Sequence, residues 1–265
     1  MQLINCKQYA QEILDEVKNI PNKKSLWIIT MGNNPASESY IKGKIKDCEY
    51  CGIPCVPIKV EDEHTITDYI HAGNVGYDVA GIIVQLPLPD GVDETPYIMA
   101  VTPSKDVDGF THGSPFKPCT PEGIMYVLNK ETNLVGKRVL VIGRGNLVGR
   151  PLIPMLLDAD CTVTIAHSKT TNLDVLLKEN DIIISAVGKP KLIDLTKCKA
   201  EIVIDVGVNR DENGKLCGDC YNFVDTGSGM KVTSVPCGIG LMTRAMLMRH
   251  VALVGNAKEM LEGEK

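Results

Sequence analysis

Residues 139–149 read V-L-V-I-G-R-G-N-L-V-G. An apolar, strand-like run ends at Gly143, Gly145 follows, and Gly149 opens a helix-like run. Glycines so placed let the chain turn tightly and let a pyrophosphate approach a helix N-terminus, whose free N–H groups and dipole favour an anion. The spacing is G-x-G-x-x-x-G, and the strand before and helix after supply the context that a bare glycine triplet lacks. The pattern predicts a dinucleotide site that includes Gly143, Arg144, Gly145 and Gly149. The next strand, Thr162–Ala166, runs into His167-Ser168-Lys169-Thr170 and carries no acid. A carboxylate there would hold a free ribose 2′-hydroxyl and repel a 2′-phosphate, whereas Arg144, Ser168 and Lys169 would hold the phosphate. These residues favour NADP over NAD.

A second group lies earlier. Residues 37–44 read S-E-S-Y-I-K-G-K, so Ser37, Tyr40 and Lys44 fall on one side of a helix. Short-chain dehydrogenases use a Tyr and a Lys four apart, but after their glycine loop; here the pair precedes it by about 100 residues. Gly81–Pro89 reads as a buried strand ending in one polar side chain, Gln85, and stopped by prolines. Pro103–Phe110 is a turn-rich loop carrying Asp106 and Asp108. Taken singly, each of these also fits a solvated helix face, a strand cap or an Asp bonded to nearby backbone.

The elements that must position these groups alternate. Strands are expected at Leu26–Met31, Gly81–Gln85, Arg138–Ile142, Thr162–Ala166, Asp181–Ser185 and Ile202–Val206. Helices are expected at Ala36–Cys51, Thr120–Asn129, Val148–Asp158, Leu173–Asn180 and Gly240–Val254. Alternation of this kind predicts an α/β fold with a parallel sheet covered by helices on both faces. The strands are continuous Val/Ile runs rather than alternating ones, as two covered faces require. A division falls near residue 119, and the last helix fits poorly within the second domain's pattern.

At 265 residues the chain suits one large domain or two modest ones. Lys plus Arg is 28 against 33 acids, which argues against nucleic acid as a partner. Three Phe, one Trp and eight Tyr are too few for a base-stacking platform. The apolar runs are strand-sized, so no membrane span is expected. The N-terminal residues do not read as a secretory signal, which predicts that the ten cysteines are reduced thiols. Cys48/Cys51 and Cys217/Cys220 have zinc-like spacing. Cys48 follows Ile41 and Ile45 at core spacing, however, and Cys217 and Cys220 sit in a hairpin arm. Small buried thiols are the preferred reading, with no metal.

The pieces occur in a telling order. Y-x-x-x-K is followed by V-Q-L-P-L-P, K-D-V-D-G-F, P-C-T-P at 118–121 and V-I-G-R-G-x-x-V-G-R-P. H-S-K-T, S-A-V-G-K-P, I-D-V-G-V-N-R at 204–210 and G-x-G-L-M-T at 238–243 complete the series. In that order they closely resemble the methylenetetrahydrofolate dehydrogenase/methenyltetrahydrofolate cyclohydrolase family over nearly the whole chain. V-Q-L-P-L-P and K-D-V-D-G-F together do not fit the other two-domain NADP dehydrogenases considered, such as shikimate-type enzymes.

The resemblance implies oxidation of 5,10-methylenetetrahydrofolate with NADP, then hydrolysis of the methenyl cation to 10-formyltetrahydrofolate in the same cleft. It makes Lys44 the central catalytic residue, with Gln85 setting its position, Tyr40 stacking near the aminobenzoate ring and Asp108 accepting from the pterin. Asp106 would be structural. Leu86 and Gly238 join the substrate set. Ile239 joins Gly143, Arg144, Gly145, Gly149 and Ser168 in the cofactor set. The implied architecture is a folate domain, 1–118 with 240–265, and a Rossmann-like NADP domain, 119–239, the last helix returning to the first domain. A soluble, cytoplasmic homodimer is implied. Two narrower readings fit the same motifs: a dehydrogenase without hydrolysis, and a folate- or NADP-binding protein without turnover.

The chain departs from the family pattern in three places. The stretch T-H-G-S-P-F-K between Phe110 and Pro118 is short, Gly145 stands where many members have Ser, and Cys237 and Leu241 replace Gly and Pro in the last turn.

Overall fold

A computed structural model describes residues 1–225, 227 and 229–254; residues 255–265 of the expected first-domain span lie outside the described residues. In chain order the first elements are β1 (Gln2–Leu3), α1 (Cys6–Lys18), β2 (Ser25–Met31), α2 (Pro35–Cys51) and β3 (Cys55–Val60). Then come α3 (Glu63–Val75), β4 (Val79–Val84), α4 (Thr95–Ala100) and α5 (Cys119–Glu131). The second half runs β5 (Arg138–Ile142), α6 (Gly149–Asp158), β6 (Thr162–Ala166), α7 (Leu173–Glu179), β7 (Ile182–Ser185), β8 (Ile193–Asp194) and β9 (Ile202–Asp205). Short strands β10 (Asn209–Arg210), β11 (Leu216–Cys217), β12 (Cys220–Tyr221) and β13 (Lys231–Val232) precede α8 (Ile239–Val254).

The chain divides into two compact units, Gln11–Cys119 with the segment from Arg244, and Met1–Ala10 with Thr120–Thr243. The first has a three-stranded parallel sheet, ordered β3-β2-β4. Every residue of β4 is buried. Ile29, Ile82 and Val84 from this sheet pack with Ile66 and Ile70 of α3. Gly73 of α3 is needed for that approach, since a Cβ there would lie 2.7 Å from Ile82 Cδ1. Asp62 starts α3 by accepting from the Thr65 N–H at 2.9 Å, an N-cap that satisfies an otherwise orphaned donor.

The second unit has a six-stranded parallel sheet, ordered β1-β13-β9-β7-β5-β6. Its central strands β7 and β9 are buried along their length, and β5 is buried after Arg138, as continuous Val/Ile runs require. The expected division placed residues 1–118 in one domain. The structure differs at the start, because Gln2 and Leu3 pair with Lys231 and Val232 at the edge of the six-stranded sheet. Residues 1–10 therefore belong to the second unit. From Arg244 onward α8 belongs to the first, where Cys48 donates to Met248 Sδ at 3.4 Å.

Leu140 is fully buried in β5, against Leu177, Ile183 and Val203. Leu140→Ala removes its buried methyl groups and leaves a cavity, a change that costs about 2–5 kcal/mol. A urea titration of the variant is expected to show that loss as a lowered unfolding midpoint.

Candidate active site

Lys44 lies in the third turn of α2 and is 5% exposed. Tyr40, one turn earlier, presents its ring 5.2 Å from Lys44 Nζ. Lys44 Nζ donates to Gln85 Oε1 at 3.0 Å. Gln85 follows directly on β4, and its backbone N–H donates to Ile29 O at 2.8 Å as a continuation of the sheet. Its side-chain amide donates to Leu86 O at 2.7 Å, which leaves the oxygen facing the lysine. Leu86 and Asp108 line one small cavity of about 20 Å³ with Phe110 and Ile98.

Electrostatics at this site run against the ordinary charge states. Burial pushes the Lys44 ammonium below the usual lysine range, and the Asp108 carboxylate opposes that fall. Burial pushes the Asp108 carboxyl up, with Lys44 opposing in turn. Each group thus restrains the other's loss of charge.

Several residues around Lys44 carry no local sequence signal. Arg244 of α8 lies against Gly43, where a Cβ would sit 1.8 Å from a guanidinium nitrogen. Its Nε is 2.7 Å from Asp47 Oδ2. Burial raises the Asp47 carboxyl and Arg244 opposes the rise. His250 Nδ1 lies 2.8 Å from Val107 O, and its ring stacks on Phe116 at 4.3 Å. Gly43 was the one visible hint, a glycine inside a helix where it costs stability unless something approaches closely.

Asp106 accepts from the N–H groups of Gly109 at 2.9 Å and Thr111 at 2.6 Å, so it builds the loop. Ser37 reaches Leu86 O at 3.5 Å and lines a separate groove of about 270 Å³ beside Gln85 and Pro87.

In the second unit, Gly143, Arg144, Gly145, Ser168 and Lys189 line an open cavity of about 590 Å³ at the C-terminal ends of β5, β6 and β7. Gly143 has φ +108°, and a Cβ there would lie 2.3 Å from Ala186 O. Gly149 fits under the turn, since its Cβ would meet Gly143 O at 2.2 Å. Both positions demand glycine. Gly145 has open space around it and no positive φ, so a serine fits there. Arg144 and Ser168 are exposed at the cavity. Gly238 and Ile239 are buried at the start of α8 and are not part of that lining. The N-terminal N–H groups of α6 and the exposed Arg144 suit a phosphorylated dinucleotide.

Residues 4–108 match the model of the tetrahydrofolate dehydrogenase/cyclohydrolase catalytic domain, and residues 118–259 match that of the NAD(P)-binding domain of the same family. The chain belongs to the tetrahydrofolate dehydrogenase/cyclohydrolase family. It is 44% identical over 267 residues to the bifunctional protein FolD of Methanoculleus marisnigri, covering 94% of each chain. The solved structure of the bifunctional enzyme FolD from Campylobacter jejuni is 36% identical, with a TM-score of 0.89 over 97% of this chain and 99% of that one. The Trypanosoma brucei dehydrogenase-cyclohydrolase, solved with NADP and an inhibitor, is 26% identical with a TM-score of 0.87, covering 97% and 98%.

The positions expected to depart from the family pattern have distinct surroundings. Gly109 takes φ +78°, and a Cβ there would lie 2.5 Å from Lys117 O, so the 110–118 loop doubles back on itself. Cys237 takes φ +73°, a conformation that side-chain-bearing residues rarely adopt. The Leu241 N–H donates to Gly238 O at 3.0 Å, a bond that a proline could not make.

The four zinc-spaced cysteines do not form one group. Cys48 and Cys51 are buried in α2, Cys217 pairs within the β10–β11 hairpin, and Cys220 lies in β12 beside β8. Among the described residues, no cluster of three or more His, Cys, Asp or Glu could hold a metal ion. Nor is any described helix long and apolar enough to cross a membrane.

The depressed Lys44 ionisation can be read directly. Followed by NMR of its side chain, Lys44 is expected to titrate below the ordinary value of 10.5. In Asp108→Asn the midpoint moves lower still, because the carboxylate that favours the ammonium is gone. The unfolded chain keeps this proton up to about 10.5 while the native protein has lost it, so Lys44 makes stability rise with pH across that interval. A native midpoint at or above 10.5 contradicts this account.

Proposed function

We propose that this enzyme oxidises 5,10-methylenetetrahydrofolate with NADP+ and hydrolyses the resulting 5,10-methenyl cation to 10-formyltetrahydrofolate. The observation that carries this reading is the buried Lys44–Gln85 pair at 3.0 Å, in one unit with Tyr40 and Asp108. The unit formed by residues 11–119 and the segment from Arg244 takes the folate, and the six-stranded unit takes the dinucleotide.

Asp108 accepts from the amino and ring N–H groups of the pterin, for which a carboxylate is the matching acceptor. Tyr40 stacks beside the aminobenzoate ring, and Leu86 lines the apolar side of the site. Bound NADP+ supplies the hydride acceptor for the first step. Burial lowers the Lys44 pKa and so weakens its hold on a proton beside the cation that forms on the folate. In the second step water attacks the methenyl carbon, and the Lys44 amine takes a proton from that water. The hydroxyl proton of the adduct ends on N5 as the bond from carbon to N5 breaks, and one proton is released overall. Gln85 keeps the amine aimed by accepting one of its N–H groups.

Arg144 and Ser168 hold the 2′-phosphate, with the turn at Gly143 and Gly149 taking the pyrophosphate and Gly145 adapting between them. The turn of Gly238 and Ile239 completes the binding surfaces at the start of α8. The enzyme works as a homodimer in the cytoplasm.

Absorbance assays separate the activities, since reduced cofactor and methenyl product are followed independently. Wild type is expected to form NADPH without methenyl build-up beyond the uncatalysed control. Lys44→Met removes the proton-transfer group and is expected to lower hydrolysis by about 10²–10⁴-fold, with folate and NADP+ binding kept. Unchanged hydrolysis would refute the role of Lys44. Arg144→Ala removes a charge-assisted contact at an exposed site and is expected to weaken NADP+ binding about tenfold, leaving NAD+ binding within twofold. Equal losses for the two nucleotides would refute the 2′-phosphate assignment.

A further inference from the structure

Beyond the glycine turn, the nucleotide cavity has a second wall. The chain leaves β7 through Ala186–Lys189, and Ala186, Val187 and Lys189 line the cavity beside Gly143. Behind this segment lies Asp219, fully buried. Its Oδ2 accepts from Ser185 Oγ at 2.8 Å and from the N–H groups of Val187 at 2.9 Å and Gly188 at 3.3 Å. Its Oδ1 accepts from the Lys189 N–H at 2.8 Å and from Asn209 Nδ2 at 3.0 Å.

Five donors converge on one carboxylate. Three of them are successive backbone N–H groups, an arrangement that forms a concave anion cradle. Here the anion in the cradle is part of the protein. Asp219 is itself fixed, because its N–H donates to Asp205 Oδ1 at 2.9 Å, and Cys220 N–H donates to Asp205 Oδ2 at 2.8 Å. Two glycines leave room for the two carboxylates. A Cβ on Gly207 would lie 2.1 Å from Asp219 Oδ1, and one on Gly218 would lie 2.0 Å from Asp205 Oδ2. Buried polar atoms are this fully satisfied where one geometry must hold.

The consequence for a ligand is a matter of which backbone groups remain. With the N–H groups of Val187, Gly188 and Lys189 engaged by Asp219, the backbone of this wall has only its carbonyl oxygens left to offer, beside the Lys189 side chain. Carbonyls suit donors, such as the ribose hydroxyls and carboxamide N–H groups of a dinucleotide, and disfavour phosphate. We propose that Asp219 is a positioning residue for the dinucleotide: it turns the Val187–Lys189 N–H groups inward and so makes this wall an acceptor edge. The proposal rests on the NADP reading above and adds how the shared, non-phosphate parts of NADP+ and NAD+ are held.

Asp219→Asn places amide hydrogens where the backbone donors point. It is expected to raise the Kd of both NADP+ and NAD+ by about tenfold, and by similar factors, since the wall meets chemistry common to both. At saturating NADP+ the kcat stays within about twofold, as does the KM for methylenetetrahydrofolate. A merely structural role would move these together with the unfolding midpoint. Ser185→Ala removes one neutral donor and is expected to give about a threefold rise in both Kd values. If Asp219→Asn does not fold, the double variant Ser185→Ala/Asn209→Ala decides by the same criteria. Unchanged nucleotide binding in a folded variant overturns the positioning role. So does a loss confined to NADP+, or an equal loss in the folate KM. Wild type that binds neither nucleotide overturns the cofactor reading itself, and this inference with it.

Discussion

An ammonium removed from water governs the first unit. Taking Lys44 to 5% exposure carries a desolvation cost of several kcal/mol for a charged group. The fold offsets that cost with groups from different elements. Gln85 comes from the end of β4, Tyr40 from the preceding turn of α2, and Asp108 from the loop before α5. Each gives partial compensation: burial lowers the Lys44 pKa, and the Asp108 carboxylate opposes that fall. The sheet and helix must therefore be correctly registered, because Gln85 at the end of β4 has to meet Lys44 of α2 at 3.0 Å.

The second unit uses the same physics with the signs reversed. Its cavity has no cofactor-directed carboxylate at the end of β6, where His167 and Ser168 stand. The buried acids of this unit lie behind the wall, where Asp205 and Asp219 are saturated by backbone donors. Burial raises the Asp205 carboxyl, and the N–H groups of Asp219 and Cys220 oppose the rise. Negative charge is thus used to shape the backbone while the cavity mouth keeps exposed Arg144.

Much of this was legible from the sequence because its signals are local. Strands β5 and β6 fall where continuous Val/Ile runs place them, and the glycine turn lies between β5 and α6. Tyr40, Lys44 and Gln85 were ambiguous singly, and only the ordered series of motifs that resembles the family joined them into one site. Among the elements that were not legible are β3, α3 and α1. Strand β3 contains Pro57 and lies at a sheet edge, where proline is tolerated and burial is patchy. Helix α3 holds His71, Gly73 and several Thr and Asp residues of weak helical preference, so packing against β2 and β4 decides it. Helix α1 buries Cys6, Ala10, Ile13, Leu14 and Val17, an i, i+4, i+7, i+8, i+11 stripe that the sequence carries and that the expected helices omit. The groups around Asp108 and Asp219 were illegible for another reason. Arg244 meets Asp47 and Asp219 meets Ser185 across long sequence separations, and no periodicity encodes such pairs.

The 110–118 loop fixes the backbone on both sides of Asp108, whose carboxylate opposes the loss of charge at Lys44. Upstream, Val107 O accepts from Cys119 Sγ at 3.2 Å and lies 2.8 Å from His250 Nδ1. Downstream, Asp106 gathers Gly109 and Thr111 by their N–H groups, and Ser114 Oγ donates to Asp106 O at 2.9 Å. The Cys119 N–H then closes on Asp108 O at 3.2 Å. Phe116, stacked on His250, seats the loop against α8. The carboxylate's place is thus set by a ring of local bonds rather than by the length of the chain that follows it. Asp108 is held in the first unit, with Tyr40, Lys44 and Gln85, by bonds that its own loop supplies.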